Sequence, residues 1–193
     1  MKKKVILGLV AVLGIAGIAS AVMANEGFTK KEPQKSIKIV PIHHKETIGD
    51  LVYEIQLSKN QFDLDNEIEV YAKVTNIGKE TMTYVSGSSS CPNHVVIDIV
   101  HQESNTSLAI KQGEACTSDL GTSILAPAQT VEDKWIFIPK QWINSKLEPA
   151  LTGTYDVEVA LPPESIEFTE DQPEAKNQRA STKTSIILTG KTT

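Results

Sequence analysis

Short runs in which apolar and polar residues alternate recur along the chain from Leu51 onward. A period of two places one row of side chains on the buried face of a sheet and the other row in water. Clusters of Gly, Pro, Asn, Asp and Ser separate these runs and are typical of turns. The pattern predicts strands at Leu51–Leu57, Glu67–Val74, Thr81–Val85, Val95–Val100, Ser107–Lys111, Thr130–Ile138, Tyr155–Leu161 and Thr184–Thr189.

The most regular stretch is Glu67–Val85. Its first part alternates strictly, and Asn76-Ile77-Gly78-Lys79 then supplies turn residues, because Asn and Gly tolerate a positive φ. A second alternating run follows at Thr81–Val85. We therefore expect a β-hairpin here, on which the other strands pack.

Three further segments give more specific expectations. Val95–Val100 has apolar residues on both faces, which indicates a central strand or one whose outer face is covered. Trp135 and Phe137 share a face of their strand, and Trp135 is expected at the centre of the core. Gln141–Leu147, which carries Trp142, is expected to form one helical turn.

The last third of the chain contains a strand entrance and a long break. Gly153-Thr154-Tyr155 resembles the tyrosine corner of sandwich folds, in which the hydroxyl group binds upstream backbone. Residues 162–182 are polar and acidic after a Pro-Pro pair. Such a stretch is too long for an ordinary hairpin loop, so we expect it to be disordered or to form a binding loop.

Seven or eight short strands with turns between them predict an all-β fold, an antiparallel immunoglobulin-like β-sandwich. We expect the sandwich to occupy residues 48–189, including the polar acidic loop at 162–182. A flexible lead at 25–47 precedes it, and a short tail at 190–193 follows it.

Residues 1–24 have the pattern of a secretory signal peptide. Three lysines precede the apolar run Val5–Ile18, and small residues lead to a cleavage site after Ala24 or, alternatively, after Ala21. An uncleaved anchor is the other reading, because Val5–Met23 carries no charge and is long enough to span a bilayer. We expect a secreted or extracytoplasmic cell-envelope protein that contacts the membrane only if this segment is not cleaved.

Removal of the signal segment makes the chain clearly acidic. Three of the 19 lysines and arginines and none of the 24 acidic residues lie within 1–24, which leaves a net charge of −8. An acidic domain repels phosphate backbones, so nucleic acid is excluded as an expected partner.

The chain has two cysteines, Cys91 and Cys116. A lone pair in an exported protein predicts a disulfide, and free thiols are the alternative. Closing a loop of this length stabilises the fold by about 3.5 kcal/mol through the entropy of the unfolded chain. A metal site at these cysteines would need further ligands, and only His94 lies close in sequence.

No catalytic pattern is present. The acidic run at Asp63–Glu67 fails as a calcium loop, because Ile68 and Val74 stand where Gly and Glu are required. The Ser-rich run before His94 lacks a Gly-x-Ser-x-Gly elbow, and the four histidines are not spaced to share a ligand. We therefore expect no enzyme, no cofactor and no metal.

The chain resembles the intracellular proteinase inhibitor family of bacilli, the BsuPI domain family, over roughly Leu51–Leu161. The residues that carry the resemblance are Glu67-Ile68-Glu69-Val70, Val74-Thr75-Asn76, Ser86-Gly87, the strand Val95–Val100, Leu125-Ala126-Pro127 before Trp135, and Gly153-Thr154-Tyr155.

The resemblance implies an Ig-like protein-binding domain and, in its specific form, an inhibitor of a serine proteinase. Inhibitors of that kind present a rigid loop, and the loop tied down by Cys91 is the candidate here. Its candidate interaction residues are Ser88, Ser89, Ser90, Pro92 and Asn93. The alternative is a structural or accessory cell-envelope domain without inhibitory activity.

Overall fold

The structure is a computed structural model that describes residues 38–111, 113, 116–168 and 173–190. The expected signal peptide, the lead up to residue 37 and residues 191–193 of the tail lie outside the described residues. In chain order the strands are β1 (Ile42–Ile48), β2 (Leu51–Leu57), β3 (Gln61–Asp63), β4 (Ile68–Asn76), β5 (Met82–Val85), β6 (Val96–His101), β7 (Ala109–Ile110), β8 (Thr122–Leu125), β9 (Thr130–Ile138), β10 (Lys140–Ile143), β11 (Lys146–Pro149), β12 (Gly153–Ala160), β13 (Ser165–Phe168), β14 (Pro173–Lys176) and β15 (Ser181–Thr189).

Two large sheets form the body of the domain. The first has the order β1-β2-β4-β9-β7 and the second β3-β15-β12-β6. The apolar rows of β2 and β4 and those of β12 and β15 belong to one hydrophobic core, as the alternation requires. The all-β sandwich expected from the sequence is therefore confirmed, with two-stranded sheets β5–β8, β10–β11 and β13–β14 in addition.

The domain begins earlier than expected. Residues 42–47, assigned to the flexible lead, form most of β1, which pairs with β2 along its whole length. His44 in this strand is half-buried, and its Nε2 lies 2.8 Å from Thr182 Oγ1 on β15. The sequence does not reveal β1, because most of this edge strand is exposed and its alternation of apolar and polar residues is weak.

The prediction of a β-hairpin at Glu67–Val85 is wrong, although both of the expected strands form. Both edges of β4 are occupied, by β2 and β9, so β5 leaves this sheet and pairs with β8. Asn76 still turns the chain: its side-chain oxygen accepts the Gly78 N–H, and its amide nitrogen donates to the carbonyls of Glu80 and Leu125. Turn residues show that a chain turns, but they do not determine which strand it pairs with next.

Two other expectations are corrected. Gln141–Leu147 forms no helical turn, because β10 and β11 make a hairpin there. The stretch 162–182, expected to be disordered or to form a binding loop, contains strands where it is described: β13 pairs with β14, and β15 begins at Ser181. Both hairpins bury few of their side chains, so hydrophobic periodicity does not reveal them.

β6 lies at an edge of its sheet and not at the centre. It pairs with β12 on one side, and only its second half has a partner on the other. At that end, Tyr155 is fully buried and its hydroxyl donates to the Leu151 carbonyl at 2.7 Å, which confirms the tyrosine corner. The open first half of β6 borders the candidate site.

Candidate functional site

An apolar groove with a volume of about 690 Å³ lies where β6 of one sheet approaches β7 and β9 of the other. Ile97, Leu108 and Ala109 form its inner side, and Trp135 projects into it from the inward face of β9. Trp135 was expected at the centre of the core. It is instead half-buried at the edge, whereas Phe137 is fully buried. Concave apolar sites of roughly 300–1,000 Å³ are typical of ligand binding.

The β10–β11 hairpin forms one wall of the groove. Trp142 and Leu147 lie directly opposite each other across the hairpin, and both line the groove. Trp142 is 59% exposed and Leu147 37%, while Ile110 and Val96 on the rim are 43% and 38% exposed. Large apolar side chains that share one concave surface mark an interaction site more strongly than scattered ones do.

Local sequence explains why this wall stands where it does. Asn144 and Ser145 have φ values of 48° and 62°, which suit a tight hairpin turn with two left-handed residues. At its base, the buried Gln141 accepts a hydrogen bond from the Thr106 hydroxyl at 2.9 Å. The hairpin is thus attached to the sandwich by a polar contact, while its apolar face remains exposed.

The two halves of β6 differ at their outer edge. The carbonyl of Ile99 accepts the Leu108 N–H, and the His101 N–H donates to the Thr106 carbonyl. Since hydrogen-bonding residues alternate along an antiparallel strand, Ile97 also directs its N–H and C=O outward. No described residue pairs with them, because the chain leaves for β9 after Leu108.

Asp133 closes one end of this free edge. It lies on the inward face of β9, and its Oδ2 accepts the backbone N–H groups of His94 and Val95 at 2.6 Å each. Burial raises the pKa of the Asp133 carboxyl, and the two backbone hydrogen bonds oppose that shift. An inward-pointing charge at a sheet edge also limits the pairing of further strands beyond this point.

The candidate interaction loop lies beside the groove, and one of its residues reaches it. Asn93 lines the groove, and its Oδ1 is buried without a hydrogen-bond partner among the described residues. Ser88 and Ser90 instead bond within the loop or to Thr117, and the Ser89 N–H donates to Asp119. Pro92 is exposed and bridges to Gly87.

The loop is braced by the expected disulfide. Cys91 and Cys116 are bonded, with their Cα atoms 5.6 Å apart. Hydrogen bonds from Thr117 and then Ser89 lower the pKa of the Asp119 carboxyl to about 2, so this carboxylate stays ionised and keeps its contacts. The disulfide supports an oxidising, extracytoplasmic environment for the domain.

Within the described part of the chain, no group of three or more His, Cys, Asp or Glu side chains is arranged to hold a metal ion. No helix among the same residues is long and apolar enough to cross a membrane.

The groove itself was missed at the level of sequence. Its residues come from β6, β7, β9 and the β10–β11 hairpin, which are far apart along the chain. The one local signal was Asn144-Ser145 between Trp142 and Leu147, a pair that suits a two-residue hairpin turn and places the flanking apolar residues on one face.

No family model and no curated protein matches the chain. Among solved structures it is similar to a β-glucosidase from Erythrobacter marinus, with 14% identity over 77% of this chain and 16% of that one and a TM-score of 0.39. A β-glucosidase from Listeria innocua in complex with glucose has 10% identity over 75% of this chain and 16% of that one, with a TM-score of 0.38. A β-D-glucoside glucohydrolase from Trichoderma reesei has 14% identity over 66% of this chain and 15% of that one, with a TM-score of 0.32.

The chain thus spans about a sixth of the length of these glycosidases. TM-scores of this size carry no argument about activity.

Proposed function

We propose that this protein is an exported, non-enzymatic protein-binding domain whose binding surface is the groove between β6, β9 and the β10–β11 hairpin. Trp142 carries the proposal. It is 59% exposed, and it stands over a concave apolar surface to which Trp135 also contributes. Aromatic side chains that fill or flank a pocket dominate the energetics of protein interfaces.

The surroundings of the groove support a preformed site. The disulfide and the hydrogen bonds of the 86–93 loop hold one end, and the Gln141–Thr106 contact holds the hairpin wall. A surface that is ordered before binding loses less conformational entropy when a partner arrives. A segment of a partner protein that exposes apolar side chains is the occupant that matches this lining.

A displayed library of random peptides of about twelve residues tests the proposal. The bait is the full mature chain, which contains the domain at residues 38–190. We expect enriched peptides with dissociation constants of about 10 μM or lower. Trp142→Ala should weaken their binding about tenfold or more, as the loss of an aromatic anchor does. Ile77→Ala is the matched control, because Ile77 is 55% exposed but does not line the groove.

Two outcomes would overturn the proposal: a library from which nothing is enriched, or peptides that bind the Trp142→Ala variant as tightly as the wild type. Either would favour a structural or accessory cell-envelope domain without a binding groove.

The family resemblance supports a more specific version, in which the partner is a serine proteinase and the disulfide-braced loop at Ser88–Asn93 contacts it. Titration of the mature protein against a panel of serine proteinases tests this version. Activity that falls in proportion to added protein, up to one equivalent, would support it. Full activity at a large excess of the protein would reject inhibition and leave the groove proposal to its own test.

A further inference from the structure

The free part of β6 is short and well delimited. At one end the Val95 N–H is bound to Asp133, and at the other the Ile99 carbonyl is bound to Leu108. Between them, Ile97 alone directs both of its backbone groups outward, by the alternation of an antiparallel strand. An exposed edge of this kind is a template on which an extended segment can add a strand.

The position next to Ile97 continues an existing row of the sheet. Residues 106–108 run antiparallel to Ile99–His101, with Val100 opposite Ser107. The chain then leaves this row, and Ala109–Ile110 pairs with β9 in the other sheet. A segment bound beside Ile97 would therefore occupy the place that the chain itself vacates.

The two faces of the vacant position differ in chemistry. On the inward side lie Ile97, Leu108 and Trp135, which form the apolar interior of the groove. On the outward side Asp98 lies directly opposite Glu158 of β12, so two carboxylates adjoin on the surface beside the free edge. Asp98 makes no ion pair among the described residues.

Arg179 lines the small cavity next to these carboxylates, but its guanidinium donates to the Thr83 carbonyl and forms no salt bridge with either of them in the described part of the structure. Directly opposite positions on neighbouring strands interact, and opposite charges there are favourable. A basic side chain on the outward face of an added strand matches Asp98.

We propose that the groove binds an extended segment of its partner as an additional β-strand, antiparallel to β6 and beside Ile97, with apolar side chains inward and a Lys or Arg outward at Asp98. This inference rests on the proposed function, since it specifies what the groove takes. In such a strand the residue opposite Ile97 makes two backbone hydrogen bonds with it and directs its side chain to the same inward face.

Three synthetic peptides of about nine residues, with alternating valine and lysine between flanking glycines, test the inference. The first is unmodified. The second carries N-methyl groups on its valines, whose backbone N–H groups would face β6, and the third carries them on its lysines, whose N–H groups would face solvent. The chain has two tryptophans, Trp135 and Trp142, and both line the groove, so intrinsic fluorescence reports binding at this surface.

We expect valine methylation to weaken binding about tenfold or more, since it removes a backbone hydrogen bond and blocks the approach of the strands. Lysine methylation should change the affinity less than about threefold. Equal effects of the two methylated peptides would overturn strand addition, and a loss confined to the lysine-methylated peptide would overturn the antiparallel arrangement.

The charge match is tested separately with the Asp98→Asn variant, which keeps an oxygen to accept the Ile99 N–H. We expect this variant to bind the lysine peptide about threefold to tenfold more weakly than the wild type does, with the difference reduced at high salt. A matched peptide with serine in place of lysine should bind the two proteins equally. Equal loss with both peptides would overturn the role of Asp98 as a charge partner.

These outcomes separate the inference from the function on which it rests. Peptides that bind in a Trp142-dependent manner but are indifferent to methylation would overturn strand addition and leave the protein-binding groove in place. If neither these nor library-selected peptides change the fluorescence, the groove proposal itself falls.

Discussion

The two halves of β6 belong to one strand and share the neighbour β12, yet their outer edges differ completely. From Ile99 to His101 the edge is paired with residues 106–108, and His101 is buried against Tyr155 with their ring centroids 4.8 Å apart. From Val96 to Asp98 the edge is open and faces the groove. Every polar backbone group that is buried needs a partner, so a half-open strand is retained only where its open part stays accessible to water or to a ligand.

The closed half should be intolerant of added volume. Gly153 has a φ of 145°, and a Cβ at this position would lie 2.7 Å from His101 Nε2. We expect Gly153→Ala to lower the free energy of unfolding by about 4 kcal/mol, from backbone strain together with overpacking. Urea denaturation of the variant and the wild type measures this difference in the free energy of unfolding. Gly190→Ala is the control, since its added Cβ would make only an ordinary contact with Thr152.

If Gly153→Ala were as stable as Gly190→Ala, the packing of His101 against the tyrosine corner would not be what holds the closed half.

The frame of the open half depends on the disulfide. Asn93 and Lys111 both line the groove. The bonded cysteines lie near them in sequence, with Cys91 two residues before Asn93 and Cys116 five residues after Lys111. We expect Cys91→Ser with Cys116→Ser to lower the free energy of unfolding by about 3.5 kcal/mol in guanidinium denaturation, because the loop is no longer closed in the unfolded state. Wild-type protein unfolded under reducing conditions should show the same stability as the double variant, and a marked difference between them would contradict this explanation.

Asp133 bounds the open half of β6 at the start of the strand, next to Val95. Asp133→Ala leaves the N–H groups of His94 and Val95 without their acceptor, and we expect a loss of about 2 kcal/mol in the free energy of unfolding. Asp133→Asn should lose less, because the amide oxygen can still accept. Equal losses in chemical denaturation would show that the charge, and not the hydrogen bonds, is what matters at this position.

The difference in stability between the wild type and Asp133→Asn should depend on pH. Burial raises the pKa of the Asp133 carboxyl above its ordinary value of 3.8, so the folded state binds this proton more tightly than the unfolded state does. The stability of the wild type relative to Asp133→Asn should therefore be highest below pH 3.8, fall as the pH rises toward the raised pKa, and level off above it. A relative stability that increases over this range would mean that the two backbone hydrogen bonds outweigh burial.

Much of the fold is readable from the sequence where alternation is strict. Thr130–Ile138 has the predicted bounds, and Leu51, Tyr53 and Ile55 form the buried row that was expected. Strict alternation specifies a strand and its buried face. It does not specify the neighbour, which is why β4 and β5 were paired wrongly while both strands were correct.

The site was harder to predict, for two physical reasons. Trp142 and Leu147 are brought opposite each other by the hairpin, which depends on the left-handed conformations of Asn144 and Ser145, and the apolar pattern of Gln141–Leu147 does not reveal these conformations. The free edge at Ile97 depends on where the chain goes after Leu108, a choice made by tertiary packing. The loop at Ser88–Asn93 was identified from local composition, and of its five candidate residues Asn93 lines the groove.

The smallest expected effect on stability belongs to the open half and is the sharpest contrast with Gly153. Trp142 is 59% exposed, so Trp142→Ala removes little buried surface, and we expect the free energy of unfolding to change by less than about 0.5 kcal/mol. The same variant should lose most of the peptide binding of the groove, and parallel urea denaturation and fluorescence titration measure both quantities. A residue that holds the hairpin to the sandwich would instead show a loss of several kcal/mol and a loss of binding that follows unfolding. Large stability losses at Gly153 together with none at Trp142 would mean that the two halves of β6 serve different purposes, one in folding and the other in recognition.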